Sequence, residues 1–159
     1  MICDIRIDDR LIHGQVCGFW IPHHNLQRIV IVDDEIIHDA QRKTALKFGC
    51  PDKCKLSIFS TDSAADKFNR KIDEGIRVMI LCQSSIPLLK LYEKGYHFKE
   101  ITVGNMASKP DSTRIRKTLF VSKEEKEAFI KLSEYGVKII SQMVPSEPRE
   151  DIIDEIRKG

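Results

Sequence analysis

Short apolar runs alternate with amphipathic segments of helical spacing along the whole chain, and this alternation constrains the fold more than any other feature. We predict strands at residues 3–7, 28–32, 56–59, 76–82, 101–103, 119–121 and 137–140. Parallel strands need crossover connections, which are usually helices and almost always right-handed. The sequence therefore predicts an α/β fold of the doubly wound type, with a mostly parallel sheet of about seven strands and helices on both faces.

The helices between these strands are predicted from apolar spacing and from end signals. The first should end near Ile21, because a proline disfavours helical conformation in the residue before it, and residues 23–25 then form a loop. A second helix is predicted from four residues that recur at helical spacing: Ile37, Ala40, Thr44 and Phe48. Later helices are predicted to start at Thr61-Asp62, at the capping-box pair Ser122 and Glu125, and at Pro148.

Composition is ordinary for a globular protein, and we expect one domain over residues 1–159. Hydrophobic residues make up 42% and charged residues 31%, and the net charge of +2 carries no signature of nucleic-acid or membrane binding. No apolar run approaches the roughly 18 residues of a membrane span. Charged residues follow the first methionine so closely that we expect no signal peptide. The five cysteines are then best explained as reduced thiols in a cytosolic protein.

Residues 6–16 carry the densest group of reactive side chains, between the first strand and the first helix. Ligands bind at the carboxyl ends of strands in open α/β sheets, and a helix amino terminus favours a phosphate. His13 is the candidate nucleophile, because a neutral imidazole can attack an electrophilic phosphorus. Arg10 could place its planar fork on the charged oxygens of the transferring group. The alternative from composition alone is a solvated loop histidine.

Neighbouring groups could support this chemistry. The backbone N–H groups near Gly14 and Gln15 could bind the same anion. Either Asp8 or Asp9 could orient His13 or Arg10 through a hydrogen bond. Further along the chain, Ser84 and Ser85 follow a buried strand, where either hydroxyl could reach a phosphate, although capping the next helix is the stronger expectation. A long irregular stretch at residues 104–117 carries basic residues that could face an acidic partner.

Metal and dinucleotide sites are not indicated. Cys50 and Cys54 are spaced more widely than the usual zinc pair, and no second Cys/His pair follows them. His23, His24 and His38 are expected in solvated loops. Gly104 does not belong to a glycine-rich fingerprint, which would follow the first strand. We therefore expect neither a metal nor a cofactor.

The run RIDDRLIHGQV at residues 6–16, followed by Trp20, closely resembles the active-site signature of one transport-system family. That family is the enzyme IIB component of the mannose/fructose/sorbose type in the bacterial phosphoenolpyruvate-dependent sugar phosphotransferase system. Weaker matches follow in the right order along nearly the full chain: Val32-Asp33-Asp34, Val103-Gly104-Asn105-Met106, Gln142, Val144 and Pro145. The family usually carries Asn where this chain has Thr102, so a site role for Thr102 is in doubt.

The resemblance implies a protein-N(pi)-phosphohistidine–sugar phosphotransferase component. In that family the histidine matching His13 takes a phosphoryl group from phosphohistidine on a IIA protein and gives it to a sugar in the membrane IIC/IID permease. The arginine matching Arg10 is associated with transfer, and the aspartate matching Asp8 lies in the same loop. The implied location is cytoplasmic, with peripheral association at the permease. The sugar is left open, as is a homodimer.

Two other classes of function remain open at this point. Arginine and histidine are also close together in the histidine phosphatases, but there the arginine directly precedes the histidine, whereas Ile12 directly precedes His13 here. A non-catalytic regulatory or binding module on the same fold is the other alternative. A phosphatase would release phosphate without sugar, and a regulatory module would not become phosphorylated.

Overall fold

The computed structural model describes all 159 residues and contains a sheet of seven strands and a separate two-stranded hairpin. The strands are β1 Ile2–Ile7, β2 Arg28–Val32, β3 Lys55–Phe59, β4 Val78–Cys82, β5 Glu100–Val103, β6 Thr113–Arg116, β7 Leu119–Val121, β8 Lys138–Ser141 and β9 Glu150–Asp151. The main sheet has the order β3-β2-β4-β1-β5-β8-β9. All its neighbouring pairs are parallel except β8 and β9. The predicted fold class is confirmed.

One predicted strand lies in a different place from the one expected. β7 pairs antiparallel with β6, so residues 119–121 are not part of the main sheet. β6 itself lies inside the stretch predicted to be irregular, because its residues Thr113, Arg114 and Arg116 give no apolar strand pattern. The seventh strand of the main sheet is instead β9. It occupies the segment predicted to open the last helix, which starts at Ile153.

Helices connect the strands on both faces of the sheet. They are a π-helical segment Val16–Trp20, α1 Ile21–His24, a 3₁₀ turn Ile36–His38, α2 Ala40–Gly49, α3 Thr61–Asn69, α4 Ser85–Glu93, α5 Lys123–Glu134 and α6 Ile153–Lys158. The capping box of Ser122 and Glu125 is formed as predicted. The cap of α3 is Ser60, one residue earlier than predicted, and the Thr61 hydroxyl bonds to Asp34 instead. None of these helices is long and apolar enough to span a bilayer.

The first helix does not end at Ile21, and this prediction is wrong. The backbone N–H of Ile21 donates to the carbonyl of Val16, five residues back, so the helix is wider here than an α-helix. Pro22 follows this wide turn in the first turn of α1, where its missing N–H is tolerated. The helix therefore runs on through His23 and His24. It ends at Asn25, which has a left-handed conformation.

The run that predicted the second helix is interrupted at Asp39. Asp39 is extended, with φ −104° and ψ 94°, and caps α2 by accepting a hydrogen bond from the backbone N–H of Arg42 at 3.0 Å. Ile37 therefore lies in the 3₁₀ turn and does not share a helical face with the later residues. Phe48 is 93% exposed rather than packed. The extended cap residue Asp39 therefore separates Ile37 from the helix that contains Ala40, Thr44 and Phe48.

The core consists of two clusters, one on each face of the sheet. Side chains of a strand point alternately to the two faces, and β4 shows this directly. Val78, Ile80 and Cys82 join the larger cluster, which also takes residues from α3, α4, α5 and α6. Met79 and Leu81 join the smaller cluster, with residues from the π-helical segment and α1. Such burial on both faces is what the continuous apolar run of this strand predicts.

Candidate active site

The loop after β1 lies at a switch point in the topology of the sheet. The chain leaves β1 toward β2 and leaves the neighbouring strand β5 toward β8, in opposite directions along the sheet. A crevice forms outside the carboxyl ends of the strands at such a point, and ligands bind there. Residues 8–15 directly follow β1 at this edge. His13 is therefore placed at the carboxyl edge of the sheet, as predicted.

The two ring nitrogens of His13 have different surroundings. Nδ1 accepts a hydrogen bond from the backbone N–H of Gln15 at 3.3 Å. Nε2 lies 3.1 Å from Oδ2 of Asp8, although the N–H direction is too poorly aligned for a hydrogen bond, so this contact is mainly electrostatic. Burial lowers the pKa of His13 below 6.5; Asp8 opposes this shift and Arg10 adds to it. The ring is therefore neutral at pH 7, and these contacts assign its proton to Nε2 and its lone pair to Nδ1.

Arg10 is bound to Asp8 and has little of its fork left for another anion. Its Nε and Nη2 donate to the two carboxylate oxygens of Asp8 at 3.0 and 2.8 Å, and Nη2 also donates to the side chain of Gln15 at 2.8 Å. The predicted fork on a phosphate is thus occupied by a buried carboxylate, because Asp8 is only 1% exposed and needs a counter-charge. Nη1 of Arg10 makes no hydrogen bond in the protein. The guanidinium brings positive charge to His13 while fixing Asp8.

Asp9 holds the loop to its neighbours and does not orient His13. Its carboxylate accepts hydrogen bonds from the side chain of Asn105 at 2.8 Å and from the backbone N–H of Ala107 at 2.6 Å. Its carbonyl accepts a further bond from Gln83 at 3.0 Å. Of the two aspartates considered from the sequence, Asp8 contacts the histidine. Asp9 joins the β1 loop to the loops after β4 and β5.

Leu11 anchors the same loop from below. It has a left-handed backbone conformation, with φ 57°, yet its side chain is only 1% exposed within the smaller core cluster. A left-handed L-residue costs roughly 1–2 kcal/mol, and burying a leucine contributes about 1.5–3 kcal/mol. The burial offsets the strain. The loop is thereby held tightly between its polar bonds and the core.

His13 stands at the start of a helix. Residues 14 and 15 are helical and lead directly into the π-helical segment, so the helix spans residues 14–24. The carbonyl of His13 accepts the first bond from the N–H of Cys17 at 2.9 Å. The N–H of Gly14 makes no hydrogen bond in the protein. The amino end of the helix therefore offers an unpaired donor beside His13, where an anion is favoured.

A buried cation lies beneath the loop. Arg6 is 1% exposed, and its Nη2 donates to the carbonyls of Gln142 and Met143 at 2.7 and 2.9 Å. Its guanidinium also lies 4.3 Å from the ring of Trp20. A side chain on Gly104 would come within 2.7 Å of Nη2 of Arg6 and 2.8 Å of Oδ2 of Asp8. Position 104 therefore requires glycine, because any side chain there would clash with Arg6 and Asp8.

The remaining predicted residues lie in structural roles. The Thr102 hydroxyl donates to Asp4 at 2.8 Å and accepts from Nη1 of Arg6 at 3.5 Å. The Ser85 hydroxyl is fully buried and donates to the carbonyl of Glu125 at 2.8 Å, so it is not available to a phosphate. Ser84 caps α4 by accepting from the N–H of Ile86 at 3.2 Å. Its own proton is still free, and a phosphate contact by Ser84 stays a prediction.

Comparison with known proteins assigns the chain to a family. The model of the PTS system sorbose subfamily IIB component matches residues 2–159. The chain belongs to this IIB family. The chain is 35% identical over 152 residues to the fructose-specific EIIB component of Bacillus subtilis (strain 168), covering 96% of this chain and 93% of that protein. IIB components of this family act in phosphoryl transfer during sugar uptake.

Two further matches are to a mannose-specific relative and to a solved structure. This IIB chain is 33% identical to the mannose-specific EIIAB component of Escherichia coli (strain K12) over 96% of this chain and 47% of that protein, whose name combines IIA and IIB. The crystal structure of the IIBSor domain of the sorbose permease from Klebsiella pneumoniae superimposes with a TM-score of 0.91 at 30% identity. That match covers 99% of this chain and 97% of the other.

The sequence pattern missed part of the IIB site. The charges Asp4 and Arg6 in the first strand indicate a face that is either partly solvated or carries buried charges near the site, and the structure shows that Arg6 is buried. The sequence around Gln83 and Asn105 does not predict their contacts with Asp9, because these contacts form only where three loops meet at the sheet edge. The sequence marks Gly104 only as part of the run Val103-Gly104-Asn105-Met106 and does not show why glycine is needed there. Its requirement for glycine follows from the close approach of Arg6 and Asp8.

Proposed function

We propose that His13 is the phosphoryl acceptor of this IIB component and that the phosphorus bonds to Nδ1. The observation that carries this proposal is the asymmetry of the ring: Nε2 faces the buried carboxylate of Asp8, while Nδ1 lies at the amino end of the helix. The donor is a phosphohistidine on a IIA protein. The acceptor is a sugar held by the membrane permease, at whose cytoplasmic surface the IIB component works.

The transfer step balances without any proton moving. The lone pair of Nδ1 leaves its hydrogen bond with the N–H of Gln15 and forms the new N–P bond while the N–P bond of the donor breaks, and the donor imidazole leaves with that electron pair. The His13 ring keeps its proton on Nε2 and becomes positively charged. Asp8 lies 3.1 Å from that nitrogen and stabilises the charge, as a carboxylate does for a catalytic imidazolium. The N–H groups of Gly14 and Gln15 and Nη1 of Arg10 are then the donors for the phosphoryl oxygens.

No observation favours a phosphatase or a regulatory module over this carrier. The sugar is not assigned, since the similar proteins are named for fructose, sorbose and mannose. A homodimer also stays a prediction.

The test is phosphorylation of the purified protein by a phosphorylated IIA protein, followed by intact-mass spectrometry. We expect a gain of one phosphoryl group that is absent in His13→Ala. Coupling between ¹⁵N and ³¹P in the NMR spectrum of the labelled protein should locate the phosphorus on Nδ1. Phosphorus on Nε2 would contradict the assignment, and steady release of inorganic phosphate without sugar would indicate a phosphatase.

His23→Ala is a suitable control, because it removes an exposed imidazole on the same helix. It should accept the phosphoryl group at the wild-type rate. If both histidine variants lose the label, the loss reflects damage to the helix and the assignment to His13 fails.

A further inference from the structure

The helix α2 has no buried residue, although it is ten residues long. A helix of this length is marginal on its own, and most helical stability in proteins comes from packing of one face. Leu46 is the residue of α2 that packs, in part, against the smaller core cluster. Phe48 on the same helix is 93% exposed, the most exposed large apolar side chain of the protein. This surface is under-packed for a structural helix.

All charged side chains of α2 are basic. Its sequence, AQRKTALKFG, contains Arg42, Lys43 and Lys47 and no acidic residue. None of these three cations makes an ion pair in the structure, although many other basic side chains do. An exposed phenylalanine on a helix that also carries three unpaired cations is typical of an interface that combines an apolar contact with a charged rim.

The carboxyl end of α2 touches the His13 loop. A methyl group placed on Gly49 would lie 3.6 Å from Cγ2 of Ile12, the residue directly before His13. Phe48 directly precedes Gly49, so it belongs to the end of α2 that packs against this loop. A protein that brings a phosphohistidine to His13 has to meet this loop, and the carboxyl end of α2 is next to the loop.

We propose that α2 is the docking helix for the phosphorylated donor protein, with Phe48 as the apolar contact and Arg42, Lys43 and Lys47 meeting an acidic surface. This inference rests on the proposed function and identifies where the donor binds. A second copy of this chain fits poorly, because a two-fold interface would oppose the same three cations. An acidic donor is attracted while His13 is unmodified. After transfer, the added charge of nearly −2 on the phosphoryl group weakens that attraction and promotes release of the donor.

The test is the rate of phosphorylation of His13 at increasing concentrations of the phosphorylated IIA protein. Phe48→Ala and Lys47→Glu should each raise KM for the donor about tenfold with kcat nearly unchanged, which is the size expected of a central interface contact. Lys47→Glu should also reduce the increase of KM with salt concentration. Ile72→Ala and Lys138→Glu are matched controls, since both residues are exposed and lie at the amino edge of the sheet.

A small phosphoryl donor separates docking from chemistry. Phosphoramidate needs no docking surface, so it should phosphorylate both α2 variants at the wild-type rate. If wild-type His13 accepts no phosphoryl group from either donor, the proposed function fails, whereas the docking proposal fails alone in three other cases. These are an unchanged KM in both variants, an equal loss with phosphoramidate, and a wild-type dimer, seen by analytical ultracentrifugation, that Phe48→Ala dissociates.

Discussion

Gly104→Ala should damage the active site more than its small size suggests. The added Cβ would lie 2.7 Å from Nη2 of Arg6, 2.8 Å from Oδ2 of Asp8 and 3.3 Å from the carbonyl oxygen of Ile7. Neither charged group can retreat easily, because Arg6 donates to two backbone carbonyls and Asp8 is held by Arg10. Asp8 must therefore move by roughly half an ångström, as in an overpacked core.

The expected cost has two parts. Overpacking at a buried position costs about 1–3 kcal/mol, which corresponds to a fall in Tm of roughly 3–10 °C for a chain of this size. Displacing Asp8 from the imidazole of His13 should slow phosphoryl acceptance about tenfold, since misplacement by 1 Å can cost about a hundredfold. Both quantities are measurable, by differential scanning calorimetry and by single-turnover phosphorylation well below Tm.

Gly18→Ala provides the control for this substitution. Gly18 lies in the π-helical segment, and a Cβ there meets nothing within 4 Å. It should leave transfer unchanged and should not lower Tm. Wild-type Tm and transfer in Gly104→Ala would refute the reasoning, because they would mean that Arg6 and Asp8 are free to move.

Other substitutions and conditions test the rest of the site. Arg10→Ala should slow acceptance by on the order of a thousandfold and should also lower Tm, because it leaves the buried carboxylate of Asp8 without its counter-charge. Arg10→Lys should remain impaired because it cannot hold Asp8 through two donors; wild-type rates in a transfer assay would contradict this role. Because burial lowers the pKa of His13, the acceptance rate should be flat above pH 6.5 and should fall only at lower pH, so an inflection above 6.5 in the pH–rate profile would be inconsistent with a neutral buried ring. Burial also lowers the pKa of His24 to about 4, so its neutral form contributes stability that is complete above pH 6.5 and is lost as pH falls toward 4. That contribution is on the order of 3 kcal/mol, and the difference between wild type and His24→Gln in urea unfolding should show it between these pH values; parallel pH curves would disprove it.

The sequence predicts this fold well where burial is uniform and poorly where it depends on distant partners. β4 is apolar throughout, and its pattern fits only a covered central strand. The strand β6 forms because β7 pairs with it, and its own residues do not show the apolar pattern of a strand. The apolar spacing from Ile37 to Phe48 predicts one continuous helix, but the helix starts only after the cap at Asp39, so Ile37 lies outside it.

The same distinction holds for the candidate site. Asp8, Arg10 and His13 are close in sequence, so one strand–loop–helix unit brings them together, and the resemblance of this run to the IIB signature is what predicts them as site residues. Asn105 reaches the loop from β5, nearly a hundred residues away, and only the strand order places it there. The choice between Asp8 and Asp9 likewise needed coordinates, because neighbouring residues in a loop face different ways.

The π turn between Val16 and Trp20 fixes an angle within the protein. Each residue of an α-helix turns the chain by about 100°. The extra residue in the wide turn therefore changes the direction in which side chains before the turn point relative to those after it. At the start stands His13, and at the end the ring of Trp20 covers Arg6 and donates to the carbonyl of Met143 at 3.0 Å. Deleting Phe19 from this turn would keep the helix and the side chains of His13 and Trp20, yet these two side chains could no longer both face their partners.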